Sequence, residues 1–182
     1  MDNNDNVIFR DLLFRKKKKK GKFALVDDPV AVFPIADTHA HLAMFKDPAF
    51  ALARAALNKV AIMGCISDPI SDGEVLFENW DKWRKEAVEI MRTELERPEA
   101  TEDELPKMFI ELGVHPHSSC DWSEEFEKRF LELASDPRVK AIGEIGLDYH
   151  YDFSTHEEQI FAFERQLEIA SALDFPVCLR IR

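Results

Sequence analysis

Two pairs of histidines and one glutamate carry the chemistry that can be read from this sequence. His39 and His41 stand two apart in Ile35-Ala36-Asp37-Thr38-His39-Ala40-His41-Leu42, a run with the composition of a strand. Strand side chains repeat every two residues, so both imidazoles and Asp37 project to one face. Two imidazoles there can chelate a metal ion, with Asp37 placed to orient a ring from behind; the competing reading is a pair of polar residues in a strand-end loop. Glu144 lies in Ala141-Ile142-Gly143-Glu144-Ile145-Gly146-Leu147-Asp148 and shares its face with Ile142, Gly146 and Asp148. A carboxylate in an apolar strand is costly to bury unless it binds a metal or pairs with a lysine or arginine. Gly146 leaves room beside it for a ligand or substrate near the backbone. Gly113-Val114-His115-Pro116-His117 holds the second pair on a proline-stiffened turn. Its imidazoles donate hydrogen bonds to a phosphate, shuttle a proton, ligate metal, or stand as exposed loop histidines.

The remaining reactive types are less telling. His150 and His156 read as solvated, and Tyr149 and Tyr151 either line a pocket or pack. Cys65, Cys120 and Cys178 fall at no metal spacing and lack the basic neighbourhood of a reactive thiolate, so they read as small apolar residues. Three is an odd number, which argues against a disulfide framework and for a reducing cytoplasm.

The elements that must position these side chains alternate along residues 34–182. Strands are expected at 35–41, 60–66, 107–114, 139–147 and 176–181. A helix runs from Pro48 to Asn58, and a longer one carries Trp80, Trp83, Ala87, Ile90 and Met91 at helical spacing. Asp121 with Glu124 reads as a capping box ahead of Phe126, Phe130 and Leu133. Thr155 with Glu158 reads as another, ahead of Ile160, Phe163, Leu167 and Ala170. Strand and helix alternate with no hairpin signal, which makes the fold class α/β with parallel strands. Five strands and four helices are too few to close an eight-stranded barrel, so an incomplete TIM-type barrel with an exposed sheet edge is expected.

Composition sets the outer bounds. The 182 residues are 46% hydrophobic and 32% charged, which excludes collagen-like and wholly disordered chains. Lys and Arg number 24 against 35 Asp and Glu, a formal charge of −11, so no broad basic face holds nucleic acid. Any such substrate must be gripped locally, through metal ions. No run of 18 apolar residues spans a membrane, and the start Met1-Asp2-Asn3-Asn4-Asp5 does not have the pattern of a signal peptide. Residues 1–33 form a preface whose basic run, Arg15 to Lys20, reads as a solvated, flexible extension with a nucleic-acid or partner-binding arm as the alternative.

Taken in order, Asp37-Thr38-His39-Ala40-His41-Leu42, Gly113-Val114-His115-Pro116-His117 and Gly143-Glu144-Ile145-Gly146-Leu147-Asp148-Tyr149 resemble the motifs of the TatD family of metal-dependent deoxyribonucleases. Gln159, Gln166 and Pro176-Val177 fall in matching order, and the resemblance covers residues 34–182. It implies a TIM-type barrel with one or more divalent ions (Mg, Zn or Mn) at its mouth, hydrolysing phosphodiester bonds of nucleic acid, DNA foremost. By that resemblance His39 and His41 match the first-strand metal ligands. Glu144 matches the catalytic carboxylate that can bridge two metals, and His115 with His117 matches a pair near the substrate phosphate. Two departures stand out. Arg180 occupies the position of a metal-binding histidine, and a guanidinium has no lone pair to offer a cation. The family's later histidine and aspartate ligands fall beyond residue 182. The reading is therefore a TatD-type hydrolase interrupted partway through its barrel. The alternatives are an amidohydrolase-like metal hydrolase acting on C–N bonds, or a non-catalytic decayed fragment serving as an interaction module.

Overall fold

A computed structural model describes residues 9–18, 22–27, 31–151 and 153–182. The expectations for Met1 to Asp5 and for Lys19 and Lys20 lie outside the described residues. Strands β1 (Arg15–Lys17) and β2 (Phe23–Leu25) pair with each other, and a five-stranded sheet runs in the order β3 (Ile35–Ala40), β4 (Val60–Ser67), β5 (Lys107–Leu112), β6 (Val139–Leu147), β7 (Val177–Ile181). Helices α1 (Pro48–Leu57), α2 (Val75–Thr93), α3 (Glu124–Ala134) and α4 (His156–Leu173) fill the intervals. The β4–β5, β5–β6 and β6–β7 pairings are parallel. The architecture is thus the α/β, TIM-type alternation expected, with five strands where eight close a barrel. Among the described residues no helix is long and apolar enough to cross a membrane.

The chain divides into two compact units. The first comprises residues 1–36, 44–61 and 80–106. Within the basic run, Arg15 to Lys17 forms an antiparallel ladder with Phe23 to Leu25. Arg15 donates to Asp11 at 2.6 and 2.7 Å and stacks over Phe9, whose ring meets Phe23 edge-on, so one charge of the run is paired. Lys16 and Lys17 stay exposed, as a basic run should. In the same unit Asp47 caps α1 by accepting from Phe50 N–H at 2.9 Å. Arg10 ties Asp47 to Glu94, which it contacts twice at 2.7 Å.

The second unit comprises residues 37–43, 62–79 and 107–182 and holds every candidate site residue. β6 is buried along nearly its whole length, from Ala141 to Gly146, the pattern of a parallel strand covered on both faces. β7 lies at the edge of the sheet order, and its Val177, Leu179 and Ile181 are exposed. β5 ends at Leu112, two residues earlier than expected, and Gly113 N–H then donates to Ser67 O at 3.0 Å. The cap of α3 is Ser123, which accepts from Phe126 N–H at 3.1 Å, and not Asp121. Asp121 is absorbed into a short 3-10 helix, Pro116–Asp121, so the chain turns two residues later. Thr155 and Glu158 do form their capping box. The buried stripe of α4 is Gln159, Ala162, Gln166 and Ile169–Ala170, while Ile160 is exposed and Phe163 and Leu167 are half-buried. The expected stripe is one residue out of phase because two glutamine amides, not apolar side chains, turn inward.

Candidate metal centre

His39 is the penultimate residue of β3 and His41 lies just past the strand, with their rings 5.1 Å apart and roughly perpendicular. Their Nε2 atoms approach the same oxygen, Glu144 Oε2, at 3.5 and 3.9 Å. One ligand atom from each of the three lies within 4.8 Å of the others. Donors bonded to one tetrahedral Zn2+ at about 2.0–2.2 Å sit roughly 3.4 Å apart, so the trio needs little movement to hold an ion. Glu144 itself is buried, while both imidazoles are about 40% exposed at their side chains, which gives a cation an entry path. Among the described residues Asp37 bonds the backbone and not an imidazole: its Oδ1 accepts from His39 backbone N–H at 3.2 Å. A short aspartate reaches the amide two residues on before it reaches the ring.

Arg180, on β7, occupies the other half of Glu144. Its Nη1 donates to Glu144 Oε1 at 3.0 Å, and its Nε lies 3.7 Å from Asp148 Oδ2. That Nε is buried without a hydrogen-bond partner among the described residues. The carboxylate is thereby divided, Oε1 to a guanidinium and Oε2 to the imidazoles. The donor set fits a single divalent ion held through His39, His41 and Glu144 Oε2. The space beside Gly146 is not open to a ligand, because a Cβ there would run into the carbonyl of Arg180. With φ at +147°, Gly146 adopts a conformation other residues avoid, and that brings β7 close enough to deliver Arg180.

The second histidine pair is held differently. His115 Nδ1 accepts from His117 N–H at 3.1 Å, which fixes the neutral tautomer carrying its proton on Nε2. Burial, and then the neighbouring His117, push the His115 imidazole down to a pKa of about 4. His117 Nε2 contacts Asp148 Oδ2 at 3.0 Å, and Tyr151 and Phe153 lie against its ring. The Asp148 carboxyl is buried, which works against its charge. Hydrogen bonds from His117 and from the backbone of His150 and Tyr151 outweigh that and hold its pKa below the ordinary value. His156 begins α4 and stacks on Tyr149 at 3.8 Å, away from this cluster of bonds.

Three positioning residues were only partly visible in the sequence. Gln166 accepts from Val114 N–H at 2.6 Å and donates to Val114 O at 3.2 Å, pinning the turn that presents His115. Gln159 does the same at Asp148, accepting at 2.8 Å and donating at 3.1 Å. Asp68, just past β4, accepts from His115 N–H at 3.2 Å. Burial raises its pKa despite the hydrogen bonds from His115, Ser71 and Ile70.

Two donors are not read as ligands from the sequence: Glu111 is passed over, and Cys178 reads as a small apolar residue. Glu111 is buried, and Cys178 is half-buried with its Sγ 3.6 Å from His39 Nδ1. Their ligand atoms and His39 also lie within 4.8 Å of one another. Burial raises the Glu111 carboxyl and pushes the Cys178 thiol up to about 11. The argument that singled out Glu144, a lone carboxylate among apolar strand residues, applies equally to Glu111 in Met108-Phe109-Ile110-Glu111-Leu112.

Residues 36–182 match the family described as TatD related DNase. The chain is 48% identical over 77 residues to the 3'-5' ssDNA/RNA exonuclease TatD of Escherichia fergusonii, a stretch that is 42% of this chain and 30% of that protein. It is 51% identical over 70 residues to the 3'-5' ssDNA/RNA exonuclease TatD of Escherichia coli K12, or 38% of this chain and 27% of that protein. A hydrolase TatD family protein from Entamoeba histolytica shares the fold with a TM-score of 0.61 at 22% identity, over 79% of this chain and 48% of the other. An uncharacterized amidohydrolase from Saccharomyces cerevisiae gives 0.54 at 20% identity, over 82% and 48%. The matches thus span about half the length of these solved chains and less than a third of the curated relatives.

Proposed function

The chain belongs to the TatD related DNase family, and from that premise we propose that His39, His41 and Glu144 form a single-cation hydrolytic centre acting on nucleic-acid phosphodiesters, DNA foremost. The observation that carries the reading is the divided carboxylate: Oε2 faces both imidazoles, and Oε1 belongs to Arg180. A divalent ion such as Mg2+, Mn2+ or Zn2+ would supply Lewis acidity toward a phosphoryl oxygen and would acidify a water. Glu144 Oε2 is the oxygen left to serve a cation or a proton, which makes Glu144 the catalytic carboxylate. His115 carries its proton on Nε2 and stays neutral near pH 7, so it serves as a hydrogen-bond donor to the phosphate. His117 spends its Nε2 on Asp148 and its ring packs beside His115, and Gln166 and Gln159 hold the two turns on which these side chains stand.

Charge supports a local grip. A chain of net −11 repels a polyanion, and Arg180, Arg182 and the second histidine pair are the donors near the site. Binding therefore releases few counterions and depends weakly on salt. Three cysteines free of disulfides suit a cytoplasmic enzyme.

The test is hydrolysis of a fluorescently labelled single-stranded oligodeoxynucleotide with Mn2+, with and without chelator, by the wild type and by Glu144→Gln. Metal-dependent shortening that Glu144→Gln abolishes is the expected result. Shortening that survives the substitution removes Glu144 from the chemistry. If Mn2+ binds at the trio but no nucleic acid is cut, the non-catalytic reading replaces this one.

A further inference from the structure

His39 is used from one side only by the centre described above. Its Nε2 faces Glu144, while its other nitrogen, Nδ1, faces Cys178 Sγ at 3.6 Å. Glu111 completes a second trio there, with one ligand atom from each residue within 4.8 Å of the others. We propose that His39, Glu111 and Cys178 form a second cation site, selective for thiophilic divalent ions such as Zn2+, and that it is an alternative to the His39–His41–Glu144 site because the two compete for one imidazole.

The geometry suits such an ion. A nitrogen at about 2.0 Å and a sulfur at about 2.3 Å from tetrahedral Zn2+ lie roughly 3.5 Å apart, close to the observed separation. Neighbouring strands leave the space. On β4, a Cβ at Gly64 would collide with the Glu111 carboxylate. On β6, a Cβ at Gly143 would lie 2.5 Å from Cys178 Cβ. Glu111 takes a hydrogen bond from the Cys178 thiol, so the acid is turned toward the sulfur. A thiolate, an imidazole and a carboxylate together favour Zn2+ or Co2+ over Mg2+, whose preferred ligands are oxygens.

Competition follows from the imidazole itself. Neutral histidine has one lone-pair nitrogen and one N–H. A cation on Nδ1 requires the proton on Nε2, where it points at Glu144; a cation on Nε2 requires the reverse. A thiophilic ion bound to Cys178 therefore withdraws His39 from the other centre. That inhibitory consequence rests on the proposed function, but the site does not.

The probe is Co2+, titrated into the full chain carrying Cys120→Ser, which removes the exposed thiol. One equivalent should give a near-ultraviolet thiolate-to-cobalt charge-transfer band. Cys178→Ser should abolish the band, and Glu111→Gln should weaken Co2+ binding about tenfold. His41→Ala should keep it, since that variant damages only the other centre. Added Mn2+ should diminish the band in the presence of His41 and leave it unchanged in His41→Ala. A parallel measurement guards against misfolding: Zn2+ should protect Cys178 from iodoacetamide, read by mass spectrometry. Co2+ bound with no thiolate band, or a band that survives Cys178→Ser, overturns the site. A band indifferent to Mn2+ overturns the competition.

Discussion

The two His-x-His pairs of this chain look alike in sequence and differ in what their nitrogens are free to do. His39 and His41 are substantially exposed, and their Nε2 atoms converge on one carboxylate oxygen. His115 and His117 are half-buried and already engaged: Nδ1 of one accepts a backbone N–H, and Nε2 of the other is bonded to Asp148. Spacing alone cannot separate a ligand pair from a donor pair. What separates them is the partner each ring has found, a carboxylate oxygen open to a cation or hydrogen bonds that fix a tautomer.

The strongest way to break this comparison is to remove each pair in turn. His39→Ala with His41→Ala should weaken divalent-metal binding by well over tenfold, since losing even an outer partner costs about 10–100-fold. His115→Ala with His117→Ala should leave metal affinity near the wild type while hydrolysis falls. Calorimetric titration with Mn2+ checks both, and equal losses in the two variants would erase the distinction.

Arg180→His sharpens the first half of the comparison. The substitution frees Glu144 Oε1 and adds a possible ligand, so Mn2+ affinity should rise about tenfold, or roughly 1.4 kcal/mol. Without metal the variant should lose about 2–3 kcal/mol, less than a fully buried pair costs because Arg180 is one-third exposed. Paired thermal melts with and without metal read both effects, and the same metal-induced shift in both proteins would remove Arg180 from the site.

The second pair depends on its glutamine. Gln166→Ala leaves the buried Val114 N–H without its partner and should cost about 1–2 kcal/mol in a urea melt, with hydrolysis falling more than metal affinity. The smallest effect is electrostatic. His115 has a folded pKa of about 4 against an ordinary 6.5, so between those values the unfolded chain takes up a proton that the folded chain refuses. Its contribution to stability is complete above pH 6.5 and declines as pH falls toward 4. His115→Gln should flatten the urea midpoint against pH in that window, and an unchanged slope would show that His115 is not buried neutral.

Much of the frame was legible because local signals agreed with the tertiary outcome. β6 spans Val139–Leu147 as its apolar run predicts, and the Thr155–Glu158 box starts α4 where expected. The failures have physical causes. Apolar periodicity placed Ile160 and Leu167 inward, but it has no means of weighing the backbone groups that draw Gln159 and Gln166 into the core. Strict alternation along strands also misleads where the register shifts. β5 slips against β6 between Ile110 and Glu111, and β6 slips against β7 between Ile142 and Ile145. Such irregularities re-aim side chains, and these two flank Glu111 and Glu144. Cys178 became chemically interesting only once β7 lay beside β6 and its thiol met His39, a contact across 139 residues.

The central claim is that Glu144 serves one divalent cation through Oε2 because Arg180 holds Oε1. The most direct test is the stoichiometry of Mn2+, counted by electron paramagnetic resonance and calorimetry on the full chain. The account predicts one ion per chain, lost when His39 and His41 are both replaced. Two Mn2+ ions bound to the wild type, or one ion that persists without those histidines, would contradict it.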